Sequence, residues 1–519
     1  MFAVILPLCC AAPAPASYDL VIRGGRVLDG AGNPSFRADV GIRRGRIAAI
    51  GAGLPPGRLE LDASGCMVAP GFIDVHTHGE GITKLPDAHN FIRQGVTTII
   101  AGNCGSSESD IGRFFGAIER RGAGPNVASL VGHGTVREKA MGGSFNRPPS
   151  ADESLRMAQL VDRAMRSGAL GLSTGLIYQP GSFATTDEII ELARVVSRYG
   201  GIYTSHMRSE GDAILDALNE VFRVAAESGV RCEVSHIKLS GNNNWGRSGE
   251  VLAAIAGARA RGLDITQDQY VYTASSTGIA QLVPAWAREG GPEAFRRRCD
   301  EPAERSRMES EMRRSLAKRG KDTYDWVTIA SCPSDPELNG KSLPEAARLR
   351  TGSGDLGAQI GLLLRLHAAG PTGGIFHGIS EQDLQAFLKH PNTMLGSDSG
   401  VREFGKDVPH PRGYGNHVRV LARYVRELGV LTLEDAVRKM TSLPASVFRL
   451  RDRGLLREGM WADIAVFDPE RVADAATFGD PHRYPVGVRH VLVNGRPVVL
   501  EGEPTGARPG KVLRSGRTR

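Results

Sequence analysis

The sequence predicts an α/β protein: a TIM-like (β/α)8 barrel with a small β-sandwich domain built from both chain ends. From about residue 66 to about residue 450, short apolar runs alternate with helical stretches, and repeated βα units of this kind form parallel sheets. Polar side chains suited to chemistry follow several different runs. A closed barrel is the architecture that gathers such residues at one rim.

The two chain ends predict one small β-domain over residues 18–65 and 451–503. Two apolar runs near the start are broken at Gly24 and Gly25, which is typical of a hairpin. Strand-like runs recur at residues 462–468 and 490–495. We expect the two ends to pair with each other, which leaves residues 66–450 as one continuous barrel domain.

Within the barrel domain, helix signals separate the predicted strands. Thr186 is suited to be an N-cap, because its hydroxyl can accept a free N–H and acidic residues follow it. Glycines 168, 200, 229 and 262 stand where such helices end. The predicted strands lie at residues 68–75, 96–101, 127–132, 169–173, 201–204, 231–234, 263–266 and 394–397.

Residues 284–351 interrupt this alternation. The segment is rich in arginine and glutamate and contains a strand-like run of its own. It predicts an insertion between the last two barrel strands. Two interpretations stay open: a structural covering subdomain, or a lid that closes over substrate, since long excursions in enzymes often cover the site.

The two terminal segments lie outside both domains. Residues 1–17 resemble the apolar part of a secretory signal but lack basic residues before it. They are interpreted equally well as a remnant signal peptide or as a disordered leader, so localisation stays open between the cytoplasm and export. Residues 504–519 contain five basic residues and no acid, which predicts a solvated basic tail.

The composition excludes several classes of protein. The chain has 519 residues and a net charge of +7, of which five charges lie in the tail, so the body is nearly neutral. Aromatic residues make up only 6%, and no nucleic-acid partner is expected. No run has the 18 to 20 apolar residues, roughly, of a membrane span. Seven scattered cysteines indicate no disulfide framework, and the oligomeric state stays open.

Four histidines and one aspartate at predicted strand ends indicate a hydrolytic metal centre. His76 and His78 end the first apolar run, and side chains two residues apart on a strand point to the same side. His206, His236 and Asp398 end further runs. Zinc favours nitrogen and sulfur ligands, and catalytic sites leave a position open for water.

Two further inferences concern individual side chains of this centre. Cys104 follows the second strand among glycines, and a thiolate there could bind one metal or bridge two. The alternative is a buried cysteine that acts as a small hydrophobe. The Asp398 carboxylate could take a proton from water and return it to a leaving nitrogen. The alternative is a loop aspartate that caps the next helix.

Four residues are candidates for binding a small-molecule substrate with a free carboxylate. Lys238 lies two residues after His236 and points to the same side of its strand. Arg412 and Tyr272 could meet the carboxylate, Arg412 through its bidentate fork. His133 ends another strand, and a role in substrate binding or in structure alone is equally open.

Together these motifs resemble the D-aminoacylase (N-acyl-D-amino-acid deacylase) family of the amidohydrolase superfamily, over about residues 18–514. Cys104 is the specific signal, because most of the superfamily bridges its metals with a carboxylated lysine or a glutamate. The motifs are Pro70-Gly-Phe-Ile-Asp-Val-His-Thr-His78, Gly102-Asn-Cys-Gly105, Thr204-Ser-His-Met-Arg208, Ser235-His-Ile-Lys238, Asn244-Trp-Gly-Arg-Ser248, Gly396-Ser-Asp398 and His410-Pro-Arg-Gly413.

The resemblance implies a metal-dependent hydrolase barrel with Zn²⁺ as its cofactor. It implies one tight zinc site formed by Cys104, His206 and His236. It also implies a second, weaker position where His76 and His78 share Cys104. Whether one or two metals bind is left open.

The resemblance further implies hydrolysis of the amide bond of N-acyl-D-amino acids. Asp398 would be the catalytic acid/base, Lys238 would help bind the substrate carboxylate, and residues 284–351 would form a mobile cover. One alternative is a related amidohydrolase that acts on D-residue dipeptides or on cyclic amides, as dihydropyrimidinases and hydantoinases do. Another is a non-catalytic scaffold, which is disfavoured because every candidate ligand is present.

Overall fold

Parallel strands in the middle of the chain form the sheet that positions the candidate residues. The computed structural model describes residues 17–515. Consecutive strands pair in parallel from first to last, apart from a break at Leu130, where one strand divides in two. The strands are Phe72–Asp74, Val96–Ala101, Asn126–Ser129 with Val131–Gly132, Gly171–Gly175, Ile202–His206, Arg231–Val234, Ile265–Gln269 and Thr393–Leu395.

The first and last of these strands also contact each other. The Val75 N–H points at the Leu395 carbonyl at 3.5 Å, and the Asp398 N–H donates to the His76 carbonyl at 2.8 Å. Just beyond, Thr77 pairs with Ser399 in a short parallel ladder. These contacts bring the loops after the first and last strands to the same place.

Helices connect the parallel strands and pack around them. The helix after the fourth strand begins at Thr186 and is capped by Thr185, whose hydroxyl accepts from the Glu188 N–H; the predicted cap was Thr186, one residue later. Gly168 and Gly229 end their helices with positive φ, as predicted. The α-helices outside the insertion are His89–Ile92, Ile111–Arg121, His133–Met141, Ala151–Ser167, Thr186–Ser197, Ile214–Ser228, Ser248–Ala260, Glu381–Lys389, Arg412–Arg419, Leu433–Met440 and Ser442–Val447, with a π-helix at Val420–Glu427 and 3-10 turns at Gly79–Thr83, Gly181–Phe183 and Asn242–Asn244.

The two chain ends pair into adjoining sheets that share one hydrophobic core, which contains Leu20, Ile22, Val68, Ile464 and Leu492. Residues 67–70 pair with residues 464–467, so the terminal sheet extends to Pro70 rather than ending at the predicted residue 65. One sheet contains Arg46–Gly51, Asp39–Arg43, Tyr18–Arg23 and Gly57–Asp62, and the other contains Glu503–Pro504, Arg496–Leu500, Val488–Val493, Ile464–Phe467, Met67–Pro70, Arg26–Val27 and Phe36–Arg37.

The insertion between the last two parallel strands is longer than the predicted residues 284–351. It begins with the strand Ala274–Gly278 and ends with its antiparallel partner Gly373–His377. It has its own hydrophobic core, which explains why it interrupts the βα pattern. Its other elements are Val327–Ser331, the α-helices Gly291–Asp300, Pro302–Lys318, Leu343–Thr351 and Leu356–Ala369, and 3-10 turns at Ile279–Leu282, Ala285–Arg288 and Pro336–Leu338.

Residues 504–515 pack on the parallel sheet instead of forming the predicted solvated tail. The Val127 N–H donates to the Lys511 carbonyl at 2.9 Å, and Arg508 pairs with Asp87 at 2.6 Å. Their partners lie more than 380 residues earlier in the chain, so local charge pattern gave no sign of them. Residues 1–16, which include the signal-like run, lie outside the described part. No helix within residues 17–515 is long and apolar enough to span a membrane.

A truncation tests the structural role of this tail. Ending the chain after Glu503 removes backbone hydrogen bonds to Ala123, Val127 and Gly168. Each is worth about 1 kcal/mol, so we expect a lower midpoint in thermal unfolding followed by calorimetry. A chain that ends at Ser515 keeps these contacts and is the control. Equal midpoints for the two truncations would contradict the packing described.

Candidate metal centre

Four predicted ligands and the candidate acid/base converge at the carboxyl edge of the parallel strands. His206 is the last residue of its strand, and His76, His236 and Asp398 lie two or three residues beyond theirs. Cys104 lies three residues beyond the second strand. All five are buried. Residues far apart in sequence thus meet because parallel strands end at one edge.

The Cys104 thiol lies at the middle of this cluster. Its Sγ is 3.2 Å from His76 Nε2, 3.6 Å from His206 Nδ1 and 3.5 Å from His236 Nε2. His206 Nδ1 and His236 Nε2 are 2.8 Å apart. One sulfur atom is therefore shared by imidazoles that arrive from three different strands.

Two overlapping groups of potential metal ligands result. Cys104, His206 and His236 form one group, and His76, His78, Cys104 and Asp398 form the other. Within each group the ligand atoms all lie within 4.8 Å of one another. His78, the least buried member, has its Nε2 3.1 Å from Asp398 Oδ1. Thiolate and imidazole donors suit zinc, so the residues present fit the predicted cofactor.

The backbone is strained at three of these residues. Cys104, His236 and Asp398 have φ of 53°, 36° and 51°, in the left-handed region that non-glycine residues seldom adopt. Such conformations cost about 1–3 kcal/mol each and persist where the surroundings enforce them. The strain turns each side chain from its strand end toward the shared centre.

Neighbouring charges keep the central groups ionised. Burial opposes ionisation of the Cys104 thiol, but His76 and His236 outweigh it and hold the pKa of Cys104 well below that of an ordinary thiol. Burial also opposes a charged Asp398, but Arg412 and His78 hold the pKa of Asp398 well below its usual range. These directions favour the thiolate form of Cys104, which can bind a cation, and the carboxylate form of Asp398, which can accept a proton.

Carboxylates behind two of the histidine rings fix the orientation of those rings. Asp268 Oδ2 lies 3.1 Å from His76 Nδ1, which leaves Nε2 of that ring directed at Cys104. Glu210 Oε1 lies 2.9 Å from His236 Nδ1 and 2.5 Å from Lys238 Nζ. A carboxylate behind a ligating histidine sets its tautomer and raises its basicity.

Glu210 was not predicted from the sequence. It lies in a Ser-Glu-Gly turn four residues after His206, which is typical of a solvated loop. The structure turns it inward, and Lys238 and His236 hold the pKa of Glu210 below its ordinary value against the effect of burial. The only feature of the sequence that could have indicated this inward position is that Glu210 stands four residues after His206, at the same end of the strands.

Replacing Glu210 tests its effect on the metal centre. Glu210→Gln removes the negative charge beside His236 and Lys238, and we expect zinc affinity to fall about 10- to 100-fold. Competition with a chromophoric chelator measures this. Glu220→Gln is the matched control, because Glu220 is a similarly buried acid that pairs with Arg208 instead. Equal zinc affinities for the two variants would exclude the orienting role of Glu210.

The structure places both Lys238 and Arg412 near the ring of Tyr270. Lys238 Nζ lies 5.6 Å and Arg412 Cζ 4.6 Å from the centre of the Tyr270 ring. Arg412 pairs with Asp398 at 2.9 Å. The predicted Tyr272 does not join them, because its hydroxyl contacts Asp474 at 3.4 Å. Tyr270 and Tyr272 lie beyond the strand that ends at Gln269. The alternation of side chains along a strand therefore no longer predicts which way either tyrosine points.

His133 occupies a buried ion-pair network. Its Nε2 lies 2.8 Å from Glu188 Oε1, and Arg137 Nε donates to the same oxygen at 3.1 Å. Burial opposes the charge on Glu188, but His133 and Arg137 hold the pKa of Glu188 below its ordinary value. Of the two interpretations of His133, these contacts favour the structural one.

The pH dependence of stability tests this network. Folding favours the ionised form of Glu188. Its contribution to the free energy of unfolding is therefore present above the unfolded pKa of about 4.3, and it is lost as pH falls through the lower folded pKa. Glu188→Gln should lower the free energy of unfolding by about 3 kcal/mol at neutral pH. This difference between the variant and wild type should become smaller in acid. Calorimetry of both proteins across that range measures the difference. A difference independent of pH would contradict the ionised pairing.

A cavity of about 530 Å³ opens above the cluster. His78, Cys104, Asp398 and Arg412 line it. Tyr178 also lines it and was not predicted: its hydroxyl hydrogen-bonds Thr277 of the insertion at 3.0 Å, and its ring packs edge-on against His206. The cavity is thus bounded by both the strand ends and the insertion, and it is large enough for a small-molecule substrate.

Comparisons with known proteins give a consistent assignment. Residues 59–499 match the model of an amidohydrolase family. An N-acyl-D-glutamate deacylase of Alcaligenes xylosoxydans xylosoxydans is 39% identical to this chain, and the match covers 96% of each of the two chains. A D-aminoacylase of the same organism is 38% identical, and the match covers 96% of this chain and 97% of the relative. A crystal structure of N-acyl-D-glutamate deacylase from Bordetella bronchiseptica, complexed with zinc and a phosphonate mimic of the tetrahedral intermediate, superposes with a TM-score of 0.82 at 38% identity and covers 96% of this chain and 99% of that one.

Proposed function

The chain belongs to the amidohydrolase family, and from that premise we propose that it is a zinc-dependent N-acyl-D-amino-acid deacylase. It hydrolyses the amide bond of an N-acyl-D-amino acid to a carboxylate and a free D-amino acid. The observation that carries this proposal is the shared thiolate: Cys104 lies within 3.2–3.6 Å of three imidazoles beside Asp398. The near full-length similarity to deacylases of this substrate class supports it.

The proposed architecture is a closed (β/α)8 barrel with a small β-sandwich. Parallel pairing along the strands and the contacts of Val75 with Leu395 and of Thr77 with Ser399 support closure. The sandwich takes residues 18–70 and about 451–503. The insertion covers the rim, and the barrel presents its strand ends to the cavity.

The proposed metal sites divide the ligands between a tight and a weaker position. Cys104, His206 and His236 hold the tight zinc, because they combine a thiolate with two buried imidazoles. His76 and His78 form the weaker position with the same sulfur. A zinc ion supplies Lewis acidity, which polarises a carbonyl and lowers the pKa of water toward about 7.

Asp398 carries the proton in the proposed reaction. Its carboxylate is ionised and lies 3.1 Å from His78 and 2.9 Å from Arg412, so it can accept a proton from the attacking water. It then gives that proton to the amide nitrogen as the C–N bond breaks, which lets the amine leave in neutral form.

The substrate's α-carboxylate binds between Arg412, Lys238 and Tyr270 in this proposal. The Tyr270 hydroxyl is buried without a hydrogen-bond partner within residues 17–515, and a buried polar group of this kind is satisfied by a ligand at little cost. Both cations lie within 6 Å, roughly, of the centre of its ring. This seat lies beside Asp398, as required for a carboxylate one carbon from the scissile nitrogen.

An assay with purified, zinc-loaded protein tests the proposed activity. We expect release of acetate from N-acetyl-D-methionine and none above background from the L-enantiomer. Hydantoins and D-residue dipeptides, tested alongside, should be poor substrates. Hydrolysis of cyclic amides or dipeptides with none of acetyl-D-amino acids would overturn the proposal and leave a different amidohydrolase.

Replacing Asp398 tests its role separately from metal binding. Asp398→Asn keeps the shape but cannot accept the proton, so we expect kcat to fall by about 10²–10⁴-fold with unchanged zinc per chain by mass spectrometry. Asp407→Asn removes another acid that lines the same cavity and serves as the control. An Asp398→Asn enzyme that retains most of its activity would rule out the proposed role.

A further inference from the structure

A connection between two strands of the small β-domain reaches the catalytic cavity. It joins the strand Ile464–Phe467 to the strand Val488–Val493. Phe478 in this connection packs edge-on against His410, with ring centres 5.0 Å apart, and His410 lines the cavity. The small β-domain therefore contacts the wall of a site whose predicted ligands all come from the parallel strands.

His482 lies in the same connection, and both of its ring nitrogens form hydrogen bonds. The Gly405 N–H donates to His482 Nδ1 at 3.1 Å, so Nδ1 is an acceptor. The Asp407 carbonyl, which can only accept, lies 3.0 Å from Nε2, so Nε2 carries the hydrogen. The Tyr414 hydroxyl is a third partner, 3.1 Å from Nδ1. One imidazole is thus bonded to three residues of the barrel domain, and its tautomer is determined by them.

The residues that His482 contacts belong to the loop and the helix that carry the proposed acid/base and its partner. Asp398 and Arg412 stand at the two ends of this loop and pair with each other at 2.9 Å. Tyr414 lies in the first turn of the helix that begins at Arg412. His482 therefore ties the middle of the loop to that helix. Between its ends the loop supplies part of the cavity wall, namely Gly400, Arg402, Asp407, Pro409 and His410.

The loop has an unusual backbone at the two residues that His482 binds. The φ angle is 83° at Gly405 and 59° at Asp407, and an aspartate keeps such a conformation where its surroundings enforce it. The insertion holds the next residue, because the Val408 N–H donates to the Ala330 carbonyl at 2.9 Å. The shape of the loop therefore depends on contacts from outside it, and His482 supplies those at Gly405 and Asp407 on one side.

We propose that His482 is a positioning residue for the reaction, which holds the loop between Asp398 and Arg412 in the shape that binds substrate. The inference rests on the proposed function and extends it to a residue of the small β-domain. His482 acts through Gly405, Asp407 and Tyr414 and not by touching substrate. Because Arg412 belongs to the proposed seat of the substrate carboxylate, releasing the loop should first weaken substrate binding. The zinc ligands precede this loop in the chain and should bind metal as before.

Hydrogen–deuterium exchange of the zinc-loaded protein tests this contact without a substrate. His482→Phe keeps a ring beside Phe404 and Tyr414, whose ring centres both lie 5.4 Å from that of His482, but it has no polar atom. We expect peptides that cover residues 401–411 to exchange about fivefold faster than in wild type, the factor that one net hydrogen bond implies. Unchanged exchange of these peptides would overturn the proposal.

His490→Phe is the matched control for this experiment. His490 also belongs to the small β-domain, its Nδ1 accepts the Glu501 N–H at 3.4 Å, and its Nε2 lies 3.4 Å from the Asp62 carbonyl. It therefore has the same kind of backbone partners without a contact to the loop. We expect this variant to exchange at the wild-type rate over residues 401–411. Equally fast exchange there in both variants would overturn the proposal, because it would show a general loss of stability.

Kinetics with an N-acetyl-D-amino acid test the effect on the reaction. We expect His482→Phe to raise KM about fivefold, with kcat and zinc per chain nearly unchanged. Partial unfolding alone would instead lower the apparent kcat and leave KM as it is. His482→Asn has an amide oxygen that can accept the Gly405 N–H, so it should restore most of the wild-type KM and exchange rate. An Asn variant as impaired as the Phe variant would overturn the role of this hydrogen bond.

The outcomes separate this inference from the proposed function. An active wild type together with an unchanged KM in His482→Phe would overturn the role of His482 alone. A wild type without activity on any N-acetyl-D-amino acid would overturn the proposed function, and with it the reaction that His482 is proposed to serve. The exchange measurement needs no turnover, so it reports on the contact of His482 with the loop in either case.

Discussion

A buried thiolate surrounded by imidazoles is the constraint on which the rest of the site depends. A sulfur anion without partners would be costly in the interior, and Cys104 is stabilised there by His76, His206 and His236. Those rings come from three strands and meet only because the strands end together. The positive φ of Cys104 and His236 carries a conformational free-energy cost. The interactions that the turned side chains form offset this cost.

Around this centre, buried charges occur with partners. Asp268 faces His76, Glu210 faces both His236 and Lys238, and Arg412 faces Asp398. A buried charge that loses its partner is strongly destabilising, so these pairs stabilise the charged groups next to the cluster. The Tyr270 hydroxyl, in contrast, is buried without a hydrogen-bond partner within residues 17–515.

The sequence predicted what is encoded locally. Apolar runs that end in His76, His206, His236 and Asp398 indicate both the strands and the edge at which these side chains meet. The cysteine among glycines could be placed because it follows such a run.

Features that depend on distant partners could not be predicted. Glu210 occupies a turn typical of solvent, and Tyr178 is positioned by a contact with the insertion. Tyr270 and Tyr272 stand beyond the last regular strand residue, so their directions follow from tertiary contacts. The basic tail has partners that the local sequence does not reveal, namely Asp87 and the edge of the sheet near Val127.

Zinc K-edge X-ray absorption of the purified, zinc-loaded protein would show whether one sulfur atom is a metal ligand. We expect a first coordination shell with one sulfur at about 2.3 Å and nitrogen at about 2.0–2.1 Å. That result would establish Cys104 as a ligand, because it is the cysteine within residues 17–515 that lies among the histidines. A first coordination shell of nitrogen and oxygen alone would exclude Cys104 as a zinc ligand.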